Sequence, residues 1–330
     1  MTQATLDVLA IGNAVVDVFA DADDAFLERE GLPPGSMRLI DAARAVELYD
    51  RMGPGREVSG GAAANTLAGL ANLGAKTAFV GQVADDQLGA IYRHDLRAAG
   101  VEFETPARPG QPPTGRVLIL VSPDGQRTMN TLLGASLYLP AEAIDEALVA
   151  SAEILLLEGY LWDPPEPRAA MRRAIEIARA AGRRVALATC ADFCVHTHRA
   201  DFRKLIDDGL IDILFANEEE AGILEGSDPN AAIESLGRDV PLLVVTRAER
   251  GAVAIRGGER AEVAAEPIAR VVDTTGAGDL FASGFLHGEV QGRSLADSLR
   301  IGAIAAAEVI SHYGARPEAD LKALVAQQLS

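Results

Sequence analysis

Short apolar runs alternate with longer amphipathic segments along most of the chain. Six runs are almost continuously apolar, as strands covered by helices on both faces usually are. These runs cover residues 6–13, 76–84, 152–161, 183–191, 211–217 and 241–248. Segments with helical spacing, several with Gly or Pro at an end, cover residues 60–74, 87–99, 166–182, 217–225, 277–291 and 295–311. The alternation predicts an α/β fold with a mostly parallel, doubly wound sheet flanked by helices.

Residues 14–58 and 101–131 break this alternation. Both segments favour extended strands without crossover helices, and Pro123-Asp124-Gly125 is a typical turn sequence. They predict a small discontinuous β-sheet lid over the carboxyl ends of the parallel strands, where open α/β sheets bind their ligands. The nucleotide- and substrate-binding core would then consist of residues 1–13, 59–100 and 132–330.

Composition and charge narrow the classes of function. The chain has 330 residues, 48% of them hydrophobic and 24% charged, which suits one large α/β core. Its net charge of −18 argues against binding to nucleic acid or an anionic membrane, because these polyanions select basic surfaces. The sequence shows no basic leader followed by an apolar run and no apolar stretch of about 18 residues, so we expect a cytoplasmic protein.

Two cysteines and two histidines lie close together in CADFCVHTH, residues 190–198. Cys190, Cys194, His196 and His198 could in principle bind zinc. The segment lacks the CxxC spacing of zinc sites, however, and thiols at the end of an apolar strand are usually buried. We therefore favour buried thiols over a metal site here.

The stretch DTTGAGD, residues 273–279, stands at the start of a predicted helix. Gly276, Ala277 and Gly278 are small enough for an anion to approach the unpaired amides of the first helical turn, so they predict an anion hole. Asp279 would repel such an anion, unless its carboxylate takes the proton from a hydroxyl that attacks a bound phosphate. A helix cap is the alternative role for Asp279.

A second cluster of small residues, SGGAAANT, covers residues 59–66. Together the two clusters resemble the paired signatures of the ribokinase (PfkB) family of carbohydrate and nucleoside kinases. SGGAAANT with the downstream VGQVADDQLG resembles the first signature, and DTTGAGDLFASG matches the second. The resemblance covers nearly the full chain. It implies a ribokinase-like, Rossmann-type core with a β-lid, and transfer of the γ-phosphoryl group of ATP to a hydroxymethyl group.

The resemblance also implies roles for the phosphoryl site. The catalytic base falls on Asp279, and the anion hole falls on the three residues before it. Asn217 and Glu220, in the motif NEEE, would organise Mg²⁺ and its waters near the phosphates, although an acidic helix start is the alternative. Asp273 and Thr275 match positions that hold a monovalent cation such as K⁺ in several members.

The nucleotide contacts that the resemblance implies lie in two loops. Thr246 and Gly251, in TRAERG, correspond to a loop that contacts the nucleotide, and Gly276 and Gly278 would contact its phosphates. The segment 301–309 lacks the asparagine that many members have on the adenine side, so no adenine contact is predicted there.

The acceptor side is expected at the first strand and the first signature. Asn13 and Asp17 stand where that strand enters the lid, and a carboxylate can accept hydrogen bonds from two neighbouring hydroxyls. The resemblance adds Gly60, Gly61 and Asn65 to this set of substrate contacts. A simple turn is the alternative role for Asp17.

Bulky residues at two strand ends favour a nucleoside, whose base needs an apolar slot. Tyr160, Leu161 and Trp162 follow one predicted strand and Phe193 follows the next, in a chain with only 5% aromatic residues. This placement resembles that of the aromatic residues around the purine in adenosine kinases of this family. The segment RTMNTLLGAS, residues 127–136, resembles the lid-return segment of adenosine kinases and some sugar kinases, in which an arginine, here Arg127, reaches the transferring phosphoryl group. Filling of the core is the alternative role for the aromatic residues.

The resemblance therefore implies ATP- and Mg²⁺-dependent phosphorylation of the 5′-hydroxyl of adenosine. Two alternatives stay open, because GGAAANT is closer to the form found in bacterial sugar kinases. One is a kinase of ribose, fructose or a related ketose, and the other is a non-catalytic sensor of nucleosides or sugars. The assembly is expected to be a monomer or a homodimer joined through the lids.

Overall fold

The computed structural model describes residues 4–329 and contains two β-sheets with flanking helices. In chain order the strands are β1 (Leu6–Ile11), β2 (Val15–Asp21), β3 (Met37–Leu39), β4 (Arg56–Gly60), β5 (Thr77–Val80), β6 (Val101–Phe103), β7 (Gly115–Val121), β8 (Arg127–Leu132), β9 (Ala152–Glu158), β10 (Arg184–Ala188), β11 (Ile213–Asn217), β12 (Leu242–Thr246), β13 (Ala252–Arg256) and β14 (Glu259–Val263). The helices are α1 (Asp24–Arg29), α2 (Ala42–Arg51), α3 (Ala62–Asn72), α4 (Gln87–Ala98), α5 (Glu146–Ser151), α6 (Pro165–Ala180), α7 (Asp192–Asp207), α8 (Glu218–Glu225), α9 (Pro229–Asp239), α10 (Ala277–Val290), α11 (Leu295–Val309) and α12 (Leu321–Gln328).

The larger sheet confirms the α/β fold predicted from the apolar runs. Its nine strands have the order β14-β13-β12-β11-β10-β9-β1-β5-β6, and the strands from β12 to β6 pair in parallel. All six predicted helices are present, as α3, α4, α6, α8, α10 and α11. The antiparallel hairpin β13–β14 at one edge, which turns at Gly257-Gly258, was not predicted.

The smaller sheet forms the lid and has the order β3-β8-β7-β2-β4. The lid segment 14–58 was expected to form extended strands, and two helices, α1 and α2, also lie between its strands. Local capping explains both helices. The side chain of Asp23 accepts a hydrogen bond from the backbone N–H of Phe26, and that of Asp41 accepts one from Arg44.

The strand β6 was also expected in the lid, but it belongs to the edge of the larger sheet. Val101 pairs with Thr77 and Phe103 with Phe79 in the parallel register of β5. The Phe79 and Phe103 ring centroids lie 5.6 Å apart. In the alternating pattern VEF, the side chains of Val101 and Phe103 are thus buried in the core of the larger sheet. Such a pattern shows that a strand has one buried face, but it does not identify the sheet that the strand joins.

Helices cover both faces of the larger sheet, with a hydrophobic core on each. Phe215 of the sheet packs edge-on against Phe285 of α10 on one face, with ring centroids 5.8 Å apart. On the other face Trp162 packs against Phe202 of α7, with centroids 5.9 Å apart. Within residues 4–329 no helix is long and apolar enough to cross a membrane. This layering leaves the carboxyl ends of the parallel strands open toward the lid.

Candidate active site

Two cavities lie at the carboxyl ends of the parallel strands. The larger, of about 1130 Å³, is lined by the lid on one side and by residues 313–318 of the core on the other. The smaller, of about 270 Å³, lies between the strand ends and the first turns of α3 and α10. We call them the lid cavity and the strand-end cavity. Asn65 lines the lid cavity, and its hydrogen-bond partner Asp279 lines the strand-end cavity, so this pair forms part of the wall between them.

The first turn of α10 has a backbone that only small residues allow. Gly276, the residue before the helix, has a φ of 78°, and a Cβ at this position would lie 2.6 Å from the Cβ of Ala315. Gly278 lines the strand-end cavity, and a Cβ there would meet no atom within 4 Å, so the space beside it is open. The N–H of Ala277 donates to the carbonyl oxygen of Thr274 at 3.2 Å and is not free to bind an anion. Of the three residues predicted to form an anion hole, Gly278 is the one that lines the strand-end cavity.

Asp279 is the third residue of α10 and is held from α3. Asn65 Nδ2 donates to Asp279 Oδ2 at 2.9 Å, and the hydroxyl of Thr66 donates to the Asp279 carbonyl oxygen at 3.1 Å. Burial raises the pKa of Asp279 to about 6, although the Asn65 hydrogen bond and the charge of Arg316 lower it. The carboxylate is thus ionised at neutral pH, with a basicity suited to accepting a proton from a hydroxyl.

The motif NEEE forms the start of α8 and has a structural role. Asn217 Oδ1 accepts from the backbone N–H of Glu220 at 2.8 Å, and Glu220 Oε2 accepts from the Asn217 N–H at 2.9 Å. These two hydrogen bonds form a capping box, so the motif does start a helix, which was the alternative role predicted for it. The Thr189 hydroxyl also donates a hydrogen bond to Glu220, at 2.6 Å. Both residues nevertheless line the strand-end cavity beside Asp279. Burial raises the pKa of Glu220, so its charge is costly unless a cation approaches.

Asp17 lies on β2 and faces the lid cavity. Gly60 lets its carboxylate approach the chain closely, since a Cβ at Gly60 would lie 2.5 Å from Asp17 Oδ2. Burial raises the pKa of Asp17 to about 7, while the charges of Arg316 and Arg127 lower it. Gly61 follows at the start of α3. The geometry thus places a carboxylate next to a glycine turn at the lid cavity.

Glu158, at the end of β9, is a site residue that the sequence reasoning missed. It accepts from Asn13 Nδ2 at 2.6 Å and from the backbone N–H of Ala63 at 3.0 Å, and it lines the strand-end cavity. Burial raises its pKa to about 7, partly offset by these two hydrogen bonds. A single acid that closes an apolar strand, as in ILLLE, was the available signal.

Arg316, beyond α11, was missed as well. Its guanidinium donates to the Ser59 carbonyl oxygen through Nε at 3.1 Å and Nη2 at 2.8 Å, and to the Ala64 carbonyl oxygen through Nη1 at 2.5 Å. It lines the lid cavity, and its charge lowers the pKa of both Asp17 and Asp279. Nothing in the local pattern HYGARPEA signals this role, because the contacts span more than 250 residues of sequence.

Comparison with known proteins places the chain in a family. The model of the pfkB family of carbohydrate kinases matches residues 35–321. The chain belongs to the PfkB family. An adenosine kinase structure from Sinorhizobium meliloti is 49% identical, with 99% of this chain and 100% of that one covered at a TM-score of 0.91. A probable sugar kinase structure from Rhizobium etli CFN 42 is 46% identical, with 99% of each chain covered at a TM-score of 0.92.

A curated relative carries a sugar-kinase name. The 5-dehydro-2-deoxygluconokinase of Shouchella clausii is 30% identical over 337 residues, with 98% of this chain and 96% of that protein covered. The names of similar proteins are therefore divided between adenosine and sugars, and they resolve the PfkB family but not the substrate.

The bulky residues expected to form a base slot in this PfkB protein separate into two groups. Leu161 and Trp162 are 1% and 0% exposed in the core, where Trp162 Nε1 donates to Asp201, so neither is available to a ligand. The Tyr160 and Phe193 rings lie 5.8 Å apart, and Phe193 is 52% exposed. The Tyr160 hydroxyl donates to the carbonyl oxygen of Cys190, which lines the strand-end cavity. The pair thus lies beside this cavity without lining it.

The remaining expected residues lie in two places. Thr246 lines the strand-end cavity and pairs with Asn217 in the sheet, while Gly251 ends the following turn, its carbonyl oxygen accepting from the Arg247 N–H at 2.7 Å. Arg127 lines neither cavity, because its guanidinium is engaged by Asp273 and Thr275. The guanidinium thus pairs with the core in this structure, and the expected contact of Arg127 with the phosphoryl group stays a prediction.

Replacing Asp17 by asparagine is expected to stabilise the protein at pH 8 and weaken acceptor binding. The folded-state pKa of Asp17 is about 7, above its ordinary value of 3.8, so above pH 7 the folded protein bears the full cost of a buried charge. The cost disappears as pH falls toward 4, where the folded state holds the proton. Urea unfolding should therefore show Asp17→Asn more stable by about 1–2 kcal/mol at pH 8 but not at pH 4.5. A variant less stable than the wild type at pH 8 would contradict this assignment.

Proposed function

We propose that this PfkB kinase transfers the γ-phosphoryl group of ATP to the 5′-hydroxyl of adenosine, forming AMP and ADP. The observation that carries the phosphoryl-transfer part is Asp279. Its carboxylate lines the strand-end cavity beside Gly278, is oriented by Asn65, and has a pKa raised to about 6. A residue that served only to cap α10 would need neither this orientation nor this basicity.

The chain's own residues perform three tasks in this mechanism. Asp279 accepts the proton of the 5′-hydroxyl as that oxygen forms its bond to the γ-phosphorus and the bond from phosphorus to the ADP oxygen breaks. Asn65 keeps one carboxylate oxygen in place by its 2.9 Å hydrogen bond, so the other oxygen faces the hydroxyl. The amide of Gly278, with the positive end of the α10 dipole, stabilises the charge on the transferring group.

The strand-end cavity suits Mg²⁺ through its oxygen donors. Glu220 and Asn217 would hold the ion through its waters. Burial raises the pKa of Glu220, and a nearby cation would stabilise its ionised form. Among residues 4–329, no three His, Cys, Asp or Glu side chains come together to bind a metal directly. Bound Mg²⁺ neutralises charge on the phosphates that Asp279 and Glu220 would otherwise repel.

The choice of adenosine is supported by the paired rings of Tyr160 and Phe193 and by the 49% identity to an adenosine kinase structure. The half-exposed Phe193 ring, tilted by 37° from the plane of Tyr160, offers an apolar face to a base. Asp17, which is an acceptor when ionised, would bind the ribose hydroxyls from the lid cavity. Because the ring pair lines neither cavity, a base would reach it only at the edge of the site.

A sugar substrate is the second candidate, and the names of two relatives favour it. In that case the hydroxyl-binding residues act alone and the ring pair is a packing feature. The two candidates therefore differ at Phe193, which only a nucleoside needs.

The test measures ADP release with adenosine, other nucleosides, ribose and fructose as acceptors. We expect adenosine to have the highest kcat/KM, and Phe193→Ala to raise its KM by about 3–10-fold with little effect on ribose. Val46→Ala is a matched control, since Val46 is 50% exposed on α2 of the lid. A free sugar with the highest kcat/KM, unaffected by Phe193→Ala, would favour the sugar kinase, and no ADP release with any acceptor would favour a sensor.

A further inference from the structure

The guanidinium of Arg127 occupies a site built for a cation. Its Nη2 lies 2.5 Å from Asp273 Oδ2, and its Nη1 donates to Thr275 Oγ1 at 3.0 Å. The Arg127 and Asp273 side chains are only 9% and 2% exposed. The guanidinium carbon also lies 5.3 Å from the Phe19 ring centroid and 5.6 Å from that of Tyr313. A carboxylate, a hydroxyl and two aromatic faces thus surround one positive charge.

Asp273 and Thr275 are the residues expected from the family resemblance to hold a monovalent cation. Both oxygens of the Asp273 carboxylate already have partners, however. Its Oδ1 accepts from the Thr275 N–H at 3.0 Å, and its Oδ2 accepts from the Gly314 N–H at 2.8 Å as well as facing Arg127. The Thr275 hydroxyl is within hydrogen-bond distance of the same arginine.

A second cation at this site would lie next to the guanidinium. Two unit charges about 4 Å apart repel by several kcal/mol where water is largely excluded, and the two expected ligands would have to release Arg127 first. The residues present therefore do not fit K⁺ while Arg127 is in place.

We propose that Arg127 is the resident cation of this site and replaces the monovalent ion. The positive charge beside the loop that leads to Gly276 and Asp279 is then part of the chain. It comes from β8 of the lid, whereas the loop belongs to the core, so the ion pair also joins lid and core. This inference does not depend on which hydroxyl the enzyme phosphorylates.

The proposal predicts that thermal stability of the wild type is insensitive to K⁺. The unfolding midpoint of the full chain, without nucleotide, is compared in about 100 mM KCl and about 100 mM choline chloride, where screening is equal. We expect equal midpoints for the wild type. Arg127→Ala leaves Asp273 without its cation, so this variant should unfold at a lower temperature and gain a saturable, K⁺-specific rise of about 2–4 °C.

Two further variants separate this effect from a general response to a lost arginine. Arg116→Ala removes an arginine at the opposite end of the β7–β8 hairpin, where its guanidinium lies over the Tyr49 ring, and should show no K⁺-specific rise. Adding Asp273→Asn to Arg127→Ala should abolish the gain. A saturable K⁺-specific rise in the wild type would overturn the proposal, as would its absence in a folded Arg127→Ala.

If Arg127→Ala does not fold, a titration of the wild type with Tl⁺, followed by ²⁰⁵Tl NMR, tests the proposal instead. Saturable Tl⁺ binding that K⁺ displaces would overturn the proposal, and the absence of such binding would support it.

Discussion

Replacing Asp279 by asparagine is expected to lower kcat by about 10²–10⁴-fold while ATP and acceptor still bind with nearly unchanged affinity. Asparagine has the shape of aspartate and keeps an oxygen for the hydrogen bond from Asn65, which is 2.9 Å long in the native protein. It cannot take a proton from the attacking hydroxyl. ADP release measures kcat, and calorimetric titration measures binding of each ligand.

A matched control exists in the next helix. Asp297 is the third residue of α11, just as Asp279 is the third residue of α10, so both carboxylates lie at the positive end of a helix dipole. Asp297→Asn should leave kcat within about twofold of the wild type, because Asp297 lines neither cavity. Equal, small losses of kcat in the two variants would show that Asp279 acts only as a helix-end charge.

Replacing Arg316 by methionine is expected to lower the free energy of unfolding by about 2–4 kcal/mol and to shift the acid limb of the pH–rate profile upward by about one unit. The loss of stability arises because the Ser59 and Ala64 carbonyl oxygens lose their charged donor. The shift arises because the charge of Arg316 lowers the pKa of both Asp17 and Asp279 in the native protein. Without it, both carboxylates hold a proton up to a higher pH, and a protonated Asp279 cannot act as a base.

Two variants separate the charge of Arg316 from its packing. Arg316→Lys keeps the charge without the fork of donors, so it should restore the pH profile but only part of the stability. Arg184→Met removes an arginine that lines neither cavity. Its guanidinium donates to Glu153 at 2.7 Å and to Glu289 at 3.1 Å. The substitution should lower stability without moving the profile. An unshifted acid limb in Arg316→Met would show that the arginine has no electrostatic role at the site.

Two residues combine a place in a helix start with a place in a cavity wall. Asn217 and Glu220 close a capping box and also line the strand-end cavity, so a role in the helix start does not exclude a role in the cavity. Motif matching finds such residues whichever role is correct. It could not show that the amide of Ala277 is already bonded to Thr274, because that depends on the turn that the backbone adopts.

The sequence by itself determined the class of fold and the positions of the two glycine-rich turns. Buried parallel strands and amphipathic helices have local periodic patterns, and DTTGAGD and SGGAAANT need only neighbouring residues to form their turns. The two turns contain Asp279 and Asn65, and the end of the first strand leads to Asp17. The two turns also led to the PfkB family, which the comparisons confirm.

Only the tertiary structure decided which side chains meet. Arg316 bonds to residues more than 250 positions away, and Arg127 reaches Thr275 across 148 positions, so no local pattern encodes either contact. The tertiary structure also decided the position of Trp162, which packs in the hydrophobic core and not in the predicted base slot. Burial and distant charge set the basicity of Asp17, Glu158 and Asp279, and both follow from how the lid, the strand ends and residues 313–318 enclose the site.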